Sequence, residues 1–531
     1  MPMNTFRILI ADPLAEEGIQ LLRDEPAFTV EVKPKLSPAE LLQAVRGADA
    51  LIVRSGSRVT AEVIHAADRL KVIGRAGVGL DNVDAEAASK RGIIVMNVPW
   101  GNTISTAEHT MSLILALARN IPSATQSMKT GQWNRSAFVG IELYGKTLGV
   151  IGLGKIGTEV AKRALAFGMR VVAHDPYLPE ERARQLDIGL VSFEELLRTA
   201  DYITVHTPLM PETKHLLSTP QFQRMKPGVR LINCARGGII DEAALEVALR
   251  DGRVAGAALD VFEEEPPKRT SLITHEHVVA TPHLGASTEE AQVNVAVEIA
   301  AQVRDALLGR GIRNAVNMLS LDAATLEAVQ PYVSLAEKLG LLIAQLADGS
   351  VQEIKLVYVG DPTLRETSPI TIGCLKGLLT PAVGESVNYV NAAMIASERG
   401  IKVVEAKSSE AHDFANLIAI EAQTANGTLT VHGSLFTRRD PRLVRLDRYY
   451  VDAIPAGHML ITTNVDKPGL VGHIGTILAQ ANINIAGMTF GRETPGGSAI
   501  TVINVDSPVP PEVLQRIQAV PNVLGVKLVT L

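Results

Sequence analysis

Along this chain, short apolar runs that end in Gly, Asp, Ser or Pro alternate with stretches whose apolar positions fall three and four apart. From residue 6, "FRILIAD" reads as a buried strand and "LAEEGIQLL" has helical spacing; "ADALIVRS", "TAEVIHAA" and "KVIGRAGVG" repeat the pattern. Strands alternating with helices predict parallel βαβ units. "MNVPWGNTISTAEHTMSLILALAR" then opens on a Pro and Gly turn with several capping side chains and continues as a helix through Met111, Leu113, Ile114, Leu115 and Leu117. Apolar on most sides, that helix is expected to be shared between subunits.

From about residue 145 to 282 come six further short apolar runs: "LGVIG", "MRVVAHD", "YITVHTP", "VRLINCA", "GAALDV" and "VVATPHLG". They are what a doubly wound sheet needs, and ligands of such sheets sit beyond the carboxyl ends of the strands. Past about residue 315 the texture changes: "LDAATLEAVQPYVSLAEKLGLLIAQLADG" reads as helix and "VQEIKLVYVGD" as strand, opening an αβ module over 316–452. Residues 456–531 then give strand, helix, strand, strand, helix, strand, a βαββαβ unit.

At 531 residues the chain has room for about two to four domains. Its 46% apolar and 4% aromatic residues suit helices packed on buried strands rather than a β-sandwich. A net charge of −6 over this length gives no reason to expect nucleic acid or an anionic membrane as partner. Cys234 and Cys374 are the only cysteines, too few for a disulfide framework and in keeping with a reducing compartment. The amino terminus lacks the pattern of a signal peptide, and no apolar run approaches bilayer-spanning length. A soluble cytoplasmic protein is expected, or a stromal one if a transit peptide has been removed.

In "LGVIGLGKIGTEVAKRALAFGMRVVAHD", Gly152, Gly154 and Gly157 stand between an apolar strand and a helix. Glycines so spaced permit a tight turn, backbone approach to a pyrophosphate and close helix–strand packing, with the helix N-terminus turned to the phosphates. The next strand ends at Asp175, 18 positions after Gly157. A carboxylate there binds ribose hydroxyls and repels a 2′-phosphate, which favours NAD over NADP.

The stretches "GRAGVGLDNVD", "GLGKIG", "VHTPL", "NCARGGIIDE", "GAALDVFEEEPP" and "TPHLGAST" together make the chain resemble the D-isomer-specific 2-hydroxyacid dehydrogenases, in the long form with an intervening and an ACT domain. The resemblance implies a Rossmann-type NAD-binding domain (101–284) inserted in a flavodoxin-like substrate domain (1–100 plus 285–315). An α+β intervening domain and a ferredoxin-like ACT domain follow. It assigns Arg236, Glu265 and His283 as catalytic. Their chemistry suits hydride transfer: His283 takes the alcohol proton, Glu265 fixes the imidazole and favours its cationic form, and Arg236 offers a planar fork to a carboxylate. Glu263 and Glu264 stand beside Glu265, and only the resemblance chooses among the three. The "GG" after Arg236 suggests backbone close to a ligand.

By the same resemblance Lys155, Ile156, Thr207, Cys234, Ala235, Arg236, Asp260, His283, Leu284, Gly285 and Ala286 line the cofactor, with Val78 where relatives have a hydroxyl residue. Arg54 with Ser55 and Gly56, and Arg75, sit at strand ends suited to an anion, and Arg135 reaches a neighbouring subunit's pocket. No metal site is assigned. The implied reaction is NAD-dependent oxidation of 3-phospho-D-glycerate to 3-phosphohydroxypyruvate, the first step of L-serine biosynthesis, in a homo-oligomer, dimer or tetramer. The alternatives are a glyoxylate or hydroxypyruvate reductase and an NAD-sensing corepressor-like protein. The resemblance also puts an L-serine effector at Asp466, Asn464 and Asn484 of the ACT module. "RRDPRLVRLDRYY" gathers Arg438, Arg439, Arg442, Arg445 and Arg448, enough for a small anion pocket in the middle module.

Overall fold

A computed structural model of the chain describes residues 5–318, 323–360, 366–384, 386–408, 414–437 and 440–531. It divides into two compact units, one of residues 14–19 and 98–298, the other of 1–13, 20–97 and 299–531.

The larger unit begins with five strands, β1 (Phe6–Ile10), β2 (Phe28–Val32), β3 (Ala50–Val53), β4 (Val72–Arg75) and β5 (Ile94–Met96), all parallel in the order β2-β1-β3-β4-β5. Ile8, Leu9, Ile10, Leu51 and Ile52 are buried, as expected where helices cover both faces of a sheet. β2 and β5 escape the sequence pattern because they are edge strands: "FTVEV" is half exposed and β5 has three residues.

The second unit holds β6 (Thr147–Ile151), β7 (Arg170–His174), β8 (Gly189–Leu190), β9 (Tyr202–Val205), β10 (Val229–Asn233), β11 (Val254–Leu259) and β12 (Val278–Ala280). They are parallel in the order β12-β11-β10-β9-β6-β7-β8. Six were expected; β8 is a two-residue edge with no pattern of its own. The order reverses between β6 and β9, the switch point at which a doubly wound sheet opens a crevice. The helix Thr103–Ala118 buries Ala107, Met111, Ile114 and Ala118 in one core with Leu148, Val150, Val160 and Ala164. Much of its apolar surface is thus packed inside this unit, while Ile104 of the same helix is exposed. The exposed apolar surface lies just beyond, at Ile121, Met128, Trp133, Val139 and Tyr144.

The middle of the chain forms a mixed sheet of β13 (Val351–Gly360), β14 (Lys402–Ser408), β15 (Asn416–Thr424), β16 (Gly427–Leu435), β17 (Pro441–Leu446) and β18 (Tyr449–Ala453), ordered β14-β13-β15-β16-β17-β18. The helices Ala323–Leu346 and Ser368–Val383 cross so closely that a Cβ on Gly340 would stand 2.0 Å from the Cys374 carbonyl oxygen, and one on Gly377 1.9 Å from that of Glu337. The terminal module pairs β19 (His458–Val465), β20 (Ile485–Arg492), β21 (Ser498–Val505) and β22 (Val523–Thr530) antiparallel in the order β20-β21-β19-β22. Leu460, Ile503 and Val505 face its helices Leu470–Gln480 and Pro511–Gln518. Met459, Ile461, Ile500, Val502 and Val529 join the core of the middle module instead. Both faces of β19 are buried, which is why it reads as a continuous apolar run.

Candidate active site

The turn after β6 is set by its glycines. Gly152 has φ +89°, and a Cβ there would lie 2.8 Å from the His206 carbonyl oxygen beyond β9. A Cβ on Gly157 would meet the Gly152 carbonyl oxygen at 2.2 Å, whereas Gly154 has nothing within 4 Å. The first and third glycines therefore close the turn, and the second leaves open the space before the helix Lys155–Ala166, where free N–H groups gather. Asp175 closes the far side: Oδ2 accepts from Leu153 N at 2.9 Å and Oδ1 from Tyr177 N at 2.9 Å. Lys155 Nζ rests 3.9 Å from the centroid of the Trp100 ring, and the Ile156 side chain is half buried. Beside Gly152, His206 Nδ1 and Thr207 Oγ1 are buried without a hydrogen-bond partner, and burial pulls the His206 pKa down to about 4. An open helix N-terminus, a carboxylate at the second strand's end and unmatched buried polar atoms fit a dinucleotide.

The carboxyl ends of β10, β11 and β12 carry the reactive side chains. Arg236 lies just past β10, with Nη1 donating to Ala235 O at 2.7 Å and its own carbonyl accepting from Asn233 Nδ2 at 2.9 Å. Packing and backbone conformation account for the glycines after it: a Cβ on Gly237 would sit 1.8 Å from the Phe262 carbonyl oxygen, and Gly238 has φ +79°. Among the three consecutive acids, Glu265 alone meets the imidazole, Oε2 lying 2.7 Å from His283 Nδ1. Glu263 is 3.1 Å from His215 Nε2, and Glu264 is 2.8 Å from Lys268 Nζ. Glu265 Oε1 also accepts from Phe262 N at 3.2 Å.

The electrostatics follow from this geometry. The hydrogen bond and charge of Glu265 raise the His283 pKa above its ordinary value against the opposing effects of burial and of the Arg236 charge. Burial pushes the Glu265 carboxyl up, but His283 outweighs it and holds it below the carboxylate range. With Nδ1 held by Glu265, Nε2 is the ring nitrogen left for proton exchange.

Asp260, fully buried after β11, is an organiser of this turn. It accepts from Thr281 Oγ1 at 2.6 Å, Leu284 N at 2.7 Å and Gly285 N at 2.8 Å, and His109 Nε2 stands 3.2 Å away. Burial raises its pKa, and these partners overcome that to hold it low. His283 sits in the turn at φ +55°, its N–H directed to the Asp260 and Thr281 carbonyls. Ala286, next in the chain, is half buried, and Ala235 has its N–H on Asn233 Oδ1 at 3.0 Å. Cys234 is buried, and burial pushes its thiol up to about 12, so it stays neutral. His109 escaped the sequence reading, although a lone imidazole on an otherwise apolar helix was a visible signal.

In the other unit, Arg54 follows β3. Its N–H donates to Asp12 Oδ2 at 2.6 Å, and its carbonyl accepts from Asn82 Nδ2 at 2.6 Å. Ser55 and Gly56 are exposed beside it, and a Cβ on Gly56 would stand 2.7 Å from Asp12 Oδ1. Asp12, which also accepts from Ser57 N at 3.1 Å, shapes this turn and was not anticipated. Arg75 ends β4 and folds back over Gly77, where φ is +148°. The Val78 carbonyl accepts from Asn97 Nδ2 at 2.6 Å. Arg135 lies exposed in the 3₁₀ turn Arg135–Phe138 of the second unit.

The candidate effector residues each have partners of their own. Asp466 Oδ2 accepts from Arg492 Nη1 at 2.8 Å and Gly496 N at 3.1 Å, while Asn484 Nδ2 donates to Asp506 Oδ2 at 2.7 Å. Asn464 is buried within the sheet, its Oδ1 accepting from Thr501 Oγ1 at 3.1 Å. The described arginines of the middle module also have separate partners. Arg438 and Arg439 lie outside the described residues, Arg442 pairs with Asp440 at 3.1 Å and Asp452 at 3.2 Å, and Arg448 with Glu493 at 3.4 Å. Arg445 lines a cavity of about 230 Å³ with Lys355 and His432 on the sheet face. Among the described residues no cluster of His, Cys, Asp and Glu could hold a metal ion, and no helix is long and apolar enough to cross a membrane.

Three family models match: the D-isomer specific 2-hydroxyacid dehydrogenase NAD-binding domain over 111–285, the D-3-phosphoglycerate dehydrogenase intervening domain over 328–447 and the ACT domain over 458–522. Among solved structures, a D-lactate dehydrogenase from Aquifex aeolicus complexed with NAD and lactic acid aligns with TM-score 0.52 at 29% identity, covering 57% of this chain and 96% of that one. Fold and site thus define an NAD-binding dehydrogenase of D-2-hydroxy acids. A D-3-phosphoglycerate dehydrogenase from Methanocaldococcus jannaschii is 46% identical over 99% of this chain and 100% of its own length, and one from Bacillus subtilis 45% over 99% and 100%. The chain belongs to the D-3-phosphoglycerate dehydrogenase family.

Proposed function

We propose that the chain oxidises 3-phospho-D-glycerate to 3-phosphohydroxypyruvate with NAD, the first step of L-serine biosynthesis. The observation that supports this reading most is the His283–Glu265 pair at 2.7 Å within the field of Arg236. Gly152, Gly154, Gly157 and Asp175 would hold NAD, which would supply the hydride acceptor. His283 Nε2 takes the proton of the C2 hydroxyl as the C2–H bond gives up its hydride, and Glu265 stabilises the imidazolium that results. Arg236 pins the substrate carboxylate and polarises the developing carbonyl. By the family resemblance, Arg54, Ser55, Gly56 and Arg75 are the candidates for the remaining anionic end of the substrate.

Steady-state NADH formation with 3-phosphoglycerate, compared with glycerate, and the reverse reaction with glyoxylate and hydroxypyruvate test the reading. Preference for the phosphorylated acid supports it. Faster turnover of glyoxylate or hydroxypyruvate would make the protein a reductase, and NAD binding without turnover a corepressor-like sensor. The ACT module is assigned L-serine at the Asp466 and Asn484 loops, with Asn464 beneath them, which calorimetry with serine tests. The exposed apolar strip Ile121, Met128, Trp133, Val139 and Tyr144 suits a homo-oligomer, dimer or tetramer, in which Arg135 serves a neighbour's site; light scattering decides it. Two buried free thiols, Cys234 and Cys374, suit the cytoplasm or another reducing compartment.

A further inference from the structure

The helix Thr103–Ala118 turns a short polar stripe toward the turn that carries His283. Ser105 Oγ lies 2.8 Å from Thr288 Oγ1, Thr106 Oγ1 donates to Gly285 O at 3.1 Å, and His109 Nε2 lies 3.2 Å from both Asp260 Oδ1 and Thr281 Oγ1. Asp260 is the post on which the turn hangs, and its other donors, Thr281, Leu284 and Gly285, all belong to the turn itself. Among the described residues His109 is the donor that ties this carboxylate to a different element.

We propose that His109 is a positioning residue for the reaction: by donating to Asp260 it fixes the turn that keeps the His283 imidazole on Glu265. The proton inventory supports the direction of the bond. The Thr281 hydroxyl has given its proton to Asp260, and the carboxylate only accepts, so both oxygens facing His109 Nε2 are acceptors. Nε2 must then carry hydrogen whatever the charge of the ring. Two acid–imidazole pairs therefore stand one behind the other, Glu265–His283 in front and Asp260–His109 behind, joined by the turn 281–285.

The surroundings leave this role to His109. Strand β10 contributes Cys234, kept neutral by burial, and Arg236 just beyond it; β11 contributes Asp260 and Glu265, and β12 Thr281 and His283. Glu108, the neighbour of His109, pairs with Arg163 of the helix Lys155–Ala166 at 3.3 Å, and the helix Ile121–Lys129 adds Lys129. Loss of the donor frees one side of a buried carboxylate, which lets the turn relax and moves Nε2 relative to the reacting carbon. A misplacement of about 1 Å costs on the order of a hundredfold in rate.

The inference rests on the reading of His283 as the proton acceptor, so its test has an arm that needs no turnover. His109→Leu removes the donor, and His109→Gln retains an N–H of similar reach. His109→Leu should lower kcat by about tenfold or more with KM for both substrates within about twofold, and His109→Gln should restore most of it. In histidine-labelled enzyme without ligands, NMR titration should show His283 falling toward its ordinary value in His109→Leu but not in His109→Gln. If His109→Leu does not fold, His109→Asn, whose shorter amide falls short of Asp260, takes its place. Unchanged kcat and an unmoved His283 titration would overturn the proposal, as would equal loss in both variants or a rise in KM alone. An inactive wild type whose His283 titration still responds would support the positioning role while overturning the assigned reaction.

Discussion

The turn bearing His283 and the loops of the ACT module both collect polar side chains at strand ends, yet they are wired in opposite ways. In the first, His283, Glu265, Asp260, Thr281 and His109 bond to one another, so the polar groups converge and hold each other's orientation. In the second, Asp466, Asn484 and Asn464 each bond to a different neighbour, Arg492, Asp506 and Thr501. A catalytic group must be in place before substrate arrives, whereas an effector site gains its coupling from contacts that change when the ligand binds. The comparison explains why the chemistry is legible in one chain and the regulation is not.

The largest expected effect comes from breaking the converging network. His283→Ala should lower kcat for oxidation by about a hundredfold to ten-thousandfold, the usual worth of a positioned base, read by steady-state kinetics. Arg236→Lys keeps the charge and loses the fork; kcat/KM for 3-phosphoglycerate should fall by roughly tenfold to a hundredfold, read by steady-state kinetics. Gly157→Ala places a methyl group 2.2 Å from the Gly152 carbonyl oxygen and should raise the Kd for NAD several-fold with little change in the catalytic step, as calorimetry would show. On the diverging side the effects should be smaller. Asn484→Ala should leave basal kcat/KM unchanged while weakening the serine binding proposed for the ACT module, read by calorimetry; unaltered binding would remove this residue from the proposed effector site.

The sequence revealed most where function is local. Gly152, Gly154 and Gly157 act within six positions of one another, so their spacing alone carried the turn, and the structure gives each a distinct geometric reason. Asp175 was legible for the same cause, one strand away. Roles that depend on distant partners were not: His109 meets Asp260 across 151 positions, and Asp12 meets Arg54 across 42. Glu263, Glu264 and Glu265 differ only in where the chain points after β11, which no local pattern states. The "GG" after Arg236 marks close backbone approach without naming what approaches, and the Phe262 backbone against Gly237 was not legible in it. Composition alone did not show that the helix Thr103–Ala118 packs into the core of its own unit, nor that Arg442 and Arg448 have acidic partners.

The account turns on the Glu265–His283 pair, and the pH dependence of kcat/KM for 3-phosphoglycerate oxidation addresses it most directly. Oxidation needs the neutral imidazole, so the rate should rise with pH through a limb that lies above the ordinary His value of 6.5, because Glu265 stabilises the cation. In Glu265→Gln the negative charge is gone, and the limb should move down toward about 6.5 while the plateau falls. A limb that stays in place in Glu265→Gln, or that lies at an unperturbed position in the wild type, would contradict the assignment of His283 as the base and of Glu265 as the group that tunes it.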